Sequence, residues 1–193
     1  HCAVGDTDFD EEKNELSDLT IPAAHNYGDD RVCTVCGEKK PSEGLQYTLG
    51  TNGSYYILSG IGTCTDAELV IPAEYNGKPV TQIAKNAFSN CDGITGVIIP
   101  DSVTRIGSGA FENCSSLGSL TLPFVGESAD GTENTYFGYI FGASEYKQNK
   151  NYVPYSLKIV VMTKATVIDT GAFYECEGIS SVTIPESVTK IGN

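Results

Sequence analysis

The feature that most limits what this chain can become is a phrase it repeats. "PVTQIAKNAFSNC" ends at Cys91, "SVTRIGSGAFENC" at Cys114 and "ATVIDTGAFYEC" at Cys176, and "SVTKIG" follows at residues 187–192. Aligned on Ala-Phe, the residues Val80, Ile83, Ala87, Phe88 and Cys91 match Val103, Ile106, Ala110, Phe111 and Cys114 one for one, 23 residues apart. One such unit cannot bury its own apolar side. Copies must stack on one another to make a core.

A second half-motif lies upstream of each copy. "LVIP" (69–72), "VIIP" (97–100), "LTLP" (120–123) and "VTIP" (182–185) alternate apolar residues and end in Pro, the mark of a short strand with one face buried. "VVM" at 160–162 is a fifth copy without the Pro. The strands start at 69, 97, 120, 160 and 182, so the gaps are 28, 23, 40 and 22 residues. The turn-forming "YNGKP" (75–79) lengthens the first gap. The 40-residue gap holds one repeat and about 17 further residues. A period in the twenties predicts a β-rich leucine-rich-repeat solenoid, a right-handed superhelix of short parallel strands joined by short helical turns. Leu, Ile and Val form its inner column, and Phe88, Phe111 and Phe173 stack under the opposite wall.

Residues 45–61, "LQYTLGTNGSYYILSGI", carry two apolar stretches around "TNG" and predict a hairpin that caps the first coil. The expected organisation is an acidic Cys/His-containing segment over 1–44 and the repeat domain over 45–193. The latter divides into the cap at 45–61 and repeats at 62–193, with an expanded coil at 124–155. The chain stops within a repeat and has no C-terminal counterpart of the hairpin, so it reads as a fragment truncated at its C-terminus.

The pattern "IPdSVTxIGxxAFxxC" resembles the BspA-like leucine-rich repeats of bacterial surface proteins over residues 64–193. The stretch from Leu122 to Lys158 resembles an expanded repeat that recurs in that family. The resemblance implies an extracellular or cell-surface location and binding of host proteins. The expected function is a non-catalytic, adhesin-like binding module with a host matrix or cell-surface protein or glycan as partner, and a monomer is expected. A structural spacer, or an accessory part of a secreted enzyme, is the alternative.

Four of the seven cysteines, Cys64, Cys91, Cys114 and Cys176, occupy one place in the repeat. Reduced, buried thiols are expected there, each able to satisfy a buried carbonyl. A disulfide ladder is the alternative, and it demands a particular Cβ direction. The other three lie near the N-terminus. In "VCTVCGEK" (32–39) a two-residue gap lets Cys33 and Cys36 face one point, and Gly37 permits the tight turn. With Cys2 and His25 they make three thiols and one imidazole, a complete tetrahedral set for structural zinc. A Cys33–Cys36 disulfide, an idle thiol pair or an incomplete site are the alternatives. "DTDFDEE" (6–12) lacks the Gly and final Glu of a calcium loop.

No catalytic pattern emerges. The two histidines, His1 and His25, lie outside the repeats, so a Ser–His or Cys–His pair has no base there. Nucleotide-binding and nucleophile-elbow motifs are absent. The chain carries a net charge of −13, with 11 acids and 4 bases in its first 44 residues. That balance provides no basic footprint for nucleic acid. No apolar run approaches the roughly 20 residues of a membrane span, so no membrane insertion is expected.

Binding is therefore expected through the solenoid face or through the Tyr-rich insertion. The expanded coil holds five of the 11 tyrosines, within "TYFGYIFGASEYKQNKNYVPY". Phe137, Ile140 and Phe141 are expected in its core. Tyr146, Tyr152 and Tyr155, beside Lys147 and Lys150, are expected on its surface as candidate ligand-binding residues, since tyrosine offers a large rigid contact with a polar tip.

Overall fold

A computed structural model describes residues 26–28 and 31–192. The chain divides into two compact units that meet between Lys40 and Pro41. In chain order the strands are β1 (Gln46–Leu49), β2 (Tyr56–Gly60), β3 (Glu68–Val70), β4 (Glu74–Tyr75), β5 (Lys78–Ile83), β6 (Gly96–Ile98), β7 (Arg105–Ile106), β8 (Ser119–Leu122), β9 (Ile159–Met162), β10 (Val167–Ile168), β11 (Ser181–Thr183) and β12 (Lys190–Ile191).

Repetition in the sequence becomes register in space. Strands β3, β6, β8, β9 and β11 form one parallel ladder, with Leu69, Val97, Leu120, Val160 and Val182 as successive partners. The sequence gaps of 28, 23, 40 and 22 residues are thus each closed by a single strand-to-strand step. Leu69, Val97, Leu120 and Val160 are buried, and Ile71, Ile99, Leu122 and Met162 form a second buried column. Ile94, Leu117 and Leu157 precede the strands as a third. Burying each of these side chains contributes about 1.5–3 kcal/mol relative to exposure.

Each repeat also contributes a second strand that the sequence reading missed. The "VT-x-I" segments and their counterparts, the hairpin strand β2 among them, pair in parallel, β2 with β5, β5 with β7, and β10 with β12. Leu58, Ile83 and Ile106 align there and are all buried. The expected hairpin is present as antiparallel β1 and β2, joined by residues 50–55. The insertion over 75–79 makes the small antiparallel pair β4–β5 and stacks Tyr75 on Tyr47, with centroids 4.0 Å apart.

Two left-handed residues shape each of the three Ala-Phe turns. Asn86, Gly109 and Gly171 occupy the position before Ala-Phe with φ of 57°, 65° and 72°. Asn90, Asn113 and Glu175 occupy the position before Cys with φ of 61°, 59° and 49°. Asn and Gly tolerate this conformation at small cost. Glu175 is the exception, and it recurs below.

Candidate functional site

The regular turns stack through their backbones: the Phe88 amide donates to Ala110 O at 2.8 Å. The expanded coil inserts a layer into this stack. The Phe111 amide donates to Ile140 O at 2.9 Å, and the Phe137 amide donates to Ala172 O at 2.8 Å. A 3-10 turn at Phe137–Phe141 therefore fills the level of a missing turn. Phe137, Ile140 and Phe141 are buried, as expected. Their rings continue the aromatic column: Phe88 stacks on Phe111 at 5.3 Å, Phe111 meets Phe141 at 6.5 Å, and Phe137 meets Phe173 at 4.9 Å.

The start of the insertion runs antiparallel beside β7. Ala129 donates to Thr104 O at 3.0 Å and Ile106 donates to Glu127 O at 2.8 Å. The Glu127 carboxylate accepts from Asn134 Nδ2 at 2.6 Å and from Arg105. Its pKa is lowered, first by the Asn134 bond. Burial and the Glu127 charge push the Tyr139 hydroxyl up to about 12.

Asn149 ties the end of the insertion down. Its side chain is fully buried. Oδ1 accepts from the Gly138 amide at 3.0 Å, and Nδ2 donates to Ala172 O at 3.0 Å. Packing and backbone bonds thus account for the buried part of the segment.

The three candidate tyrosines lie on its outer part, and the structure separates them. Tyr152 and Tyr155 line one groove of about 420 Å³, together with Asn113, Ser115, Phe141 and Lys150. Tyr155 is 75 % exposed and Tyr152 39 %. Lys158 Nζ sits 4.0 Å from the centre of the Tyr155 ring and donates to Tyr155 O and Gly178 O. Tyr146 is outside the groove lining and packs edge-on against Tyr174 at 5.5 Å.

Polar ladders run along the turns to the same groove. Asn113 Nδ2 donates to Asn90 Oδ1 at 2.9 Å, and Ser115 Oγ donates to Asp92 Oδ1 at 2.7 Å. In the next Ala-Phe repeat, Glu175 replaces the ladder asparagine and pairs with Lys150 at 2.6 Å. The pair raises the Lys150 pKa and lowers that of Glu175. Sequence reasoning missed this contact. Its only signal was Glu in the "NC" position of the third repeat.

The ladder cysteines are free thiols. Cys114 is buried, but Cys64, Cys91 and Cys176 are only half-buried, so Cys91 departs from the expectation of full burial.

In the N-terminal unit the Cys33 amide donates to Glu38 O at 2.7 Å and the Gly37 amide to Cys33 O at 2.8 Å. Gly37, at φ 75°, closes the turn as expected. Cys33 is buried and Cys36 exposed. Cys2 and His25 lie outside the described residues. Among the described residues alone, no three His, Cys, Asp or Glu residues are grouped to hold a metal. Nor, among them, is any helix long and apolar enough to cross a membrane.

The model of the BspA type leucine rich repeat region matches residues 73–139 and 146–193, in six copies. Similar solved structures include a leucine-rich repeat protein of T. pallidum, at 21 % identity and a TM-score of 0.41 over 81 % of this chain and 54 % of that one. A leucine-rich repeat protein of Bacteroides ovatus is 24 % identical with a TM-score of 0.48, covering 78 % of this chain and 36 % of that one. A leucine-rich cell surface protein of Faecalibacterium prausnitzii is 24 % identical with a TM-score of 0.42, covering 80 % and 45 %. The chain thus spans between about a third and about a half of these three chains. No curated protein matches it.

Proposed function

We propose that this chain, which belongs to the BspA-type leucine-rich-repeat family, is a non-catalytic binding module of the bacterial surface whose ligand docks on the tyrosine-bearing expanded coil. In this reading the repeats coil as a right-handed solenoid, the β1–β2 hairpin covers its first turn, and the wall presents the insertion to solvent. The partner is a protein or glycan of a host matrix or cell surface, met outside the cell by a monomer. Cys2, His25, Cys33 and Cys36 hold a structural zinc in the N-terminal unit.

One observation carries the reading. The expanded coil buries Phe137, Ile140 and Phe141 to pack on the wall, yet leaves Tyr152 and Tyr155 exposed around a groove. Exposed tyrosines beside oriented polar groups offer large rigid contact area with a polar tip, the make-up of a recognition surface. The test is a binding screen of the full chain against host matrix proteins and glycans. Partners captured by the chain and released on loss of Tyr152 and Tyr155 support the reading.

The uninterrupted ladder from β3 to β11 favours a second reading, a structural spacer. Such a wall projects other domains and needs no ligand of its own. A screen that yields no partner for the full chain favours it.

A further inference from the structure

We infer that the groove beside Tyr152 and Tyr155 is a subsite for an uncharged sugar ring at the end or edge of a glycan. The inference rests on the reading of the expanded coil as the binding face and names the ligand class for it.

The groove has the size of a small-ligand site. Its volume of about 420 Å³ falls in the range of roughly 300–1,000 Å³ usual for such sites. A protein partner needs about 800 Å² on each side, largely from an apolar centre. Here the lining alternates aromatic and polar groups over a few residues.

The chemistry of a pyranose matches that lining. One face of the ring carries C–H groups and its rim carries hydroxyls that both donate and accept. Tyr155 offers a stacking surface held in advance: Lys158 covers one face of its ring and is itself fixed by two carbonyl oxygens, at 2.6 and 3.1 Å. The residue is 75 % exposed, so most of its surface is left to a ligand. A rotamer held before binding loses little entropy on binding. Lys150 supplies donors. Asn113 donates one Nδ2 hydrogen to Asn90 and offers Oδ1 as an acceptor, and Ser115 Oγ keeps lone pairs after donating to Asp92.

Electrostatics selects a neutral ring over an acidic one. The Lys150 ammonium is already matched by Glu175 at 2.6 Å. Asp92 stands behind Ser115 and Glu175 beside Lys150. These carboxylates disfavour an anionic sugar.

Glu175 is the independent mark of specialisation. Its equivalents Asn90 and Asn113 suit the left-handed backbone, whereas glutamate at φ 49° is strained. The strain places a carboxylate where it can hold Lys150 at the groove. Glu175 acts here as a positioning residue.

The experiment is saturation-transfer NMR on the full chain with neutral trisaccharides of glucose, galactose, mannose and N-acetylglucosamine, and with trigalacturonate as the acidic comparison. Affinity follows from tyrosine fluorescence, which is unobscured because the chain has no Trp. Transfer to at least one neutral trisaccharide is expected. Tyr155→Ala should weaken it at least about tenfold, and Tyr155→Phe, which keeps the ring, by less than about threefold. Glu175→Asn should weaken it about threefold to tenfold while leaving the chain folded. Silence towards every neutral trisaccharide overturns the sugar assignment, as does stronger transfer to trigalacturonate. Transfer undiminished in Tyr155→Ala overturns the site. If instead a matrix protein binds and is lost with Tyr152 and Tyr155 while the sugars stay silent, the sugar assignment fails and the binding face stands.

Discussion

The Cys114 thiol donates to the carbonyl oxygen of Phe88 across 3.2 Å, joining one repeat to the turn of the repeat before it. The contact adds a second donor to a carbonyl that already accepts from the Cys91 amide, from a side chain small enough for a tight inward turn. Burial pushes the Cys114 pKa up to about 12. Replacing Cys114 by Ser puts a more polar group in the same apolar site and should cost about 1–3 kcal/mol, read as a shift in urea midpoint. Native Cys114 should resist thiol reagents that modify it after unfolding. A Cys91–Cys114 crosslink in intact peptides would contradict this.

Alkali should unfold the repeat domain progressively. Cys114 and Cys176 rise from 9.0 to about 12, and Tyr47 and Tyr139 from 10.0 to about 12, in each case chiefly by burial. All four are neutral acids that bind their protons more tightly when folded. Their contribution is complete below the unfolded values of 9 to 10 and is lost as pH rises towards 12. Urea midpoints should therefore fall steadily above about pH 9. Glu127 gives the opposite slope in acid: with its pKa lowered, its contribution is present above the ordinary carboxylate value and is lost as pH falls through the folded one.

Asn149 should be the linchpin of the expanded coil. Asn149→Ala leaves the buried Gly138 amide without its partner, at about 1–3 kcal/mol, while the Ala172 carbonyl keeps the Phe137 amide. Hydrogen exchange should quicken at Gly138 first, and at β3 and β6 least. Uniform acceleration across the domain would show that the coil is not an independently loosened unit.

The N-terminal thiols have a direct test. Protein purified without chelator should carry about one equivalent of zinc by elemental analysis, and chelation should loosen residues 1–44 while leaving the repeats folded. A metal-free preparation with an ordered N-terminal segment, or a Cys33–Cys36 disulfide by mass, would remove zinc from the account.

Much of the fold was legible because stacking preserves sequence spacing. The gaps between Leu69, Val97, Leu120, Val160 and Val182 in the sequence are the steps of the ladder. The burial of Phe137, Ile140 and Phe141 was legible from residue type. The second strand row was not, because β7, β10 and β12 are two residues long and too short to show alternation. Lys150 and Glu175 are 25 residues apart and meet only once the coils stack. The division of the tyrosines was hidden for the same reason: Tyr146 finds Tyr174 on the next coil, whereas Tyr152 and Tyr155 border the groove.

The most direct test of the account is whether ligand recognition can be removed from the wall without harming it. Tyr146 is left intact, since its contact with Tyr174 contributes to packing. The full chain, a Tyr152→Ala/Tyr155→Ala variant and a strand-face Thr121→Ala variant are measured for affinity to the matrix proteins and glycans that the full chain captures. The double variant should lose affinity at least about tenfold with a melting temperature within about 2 °C of the parent, while Thr121→Ala binds as the parent does. Full affinity in the double variant, or loss of binding in Thr121→Ala, would contradict the claim that the expanded coil is the binding face.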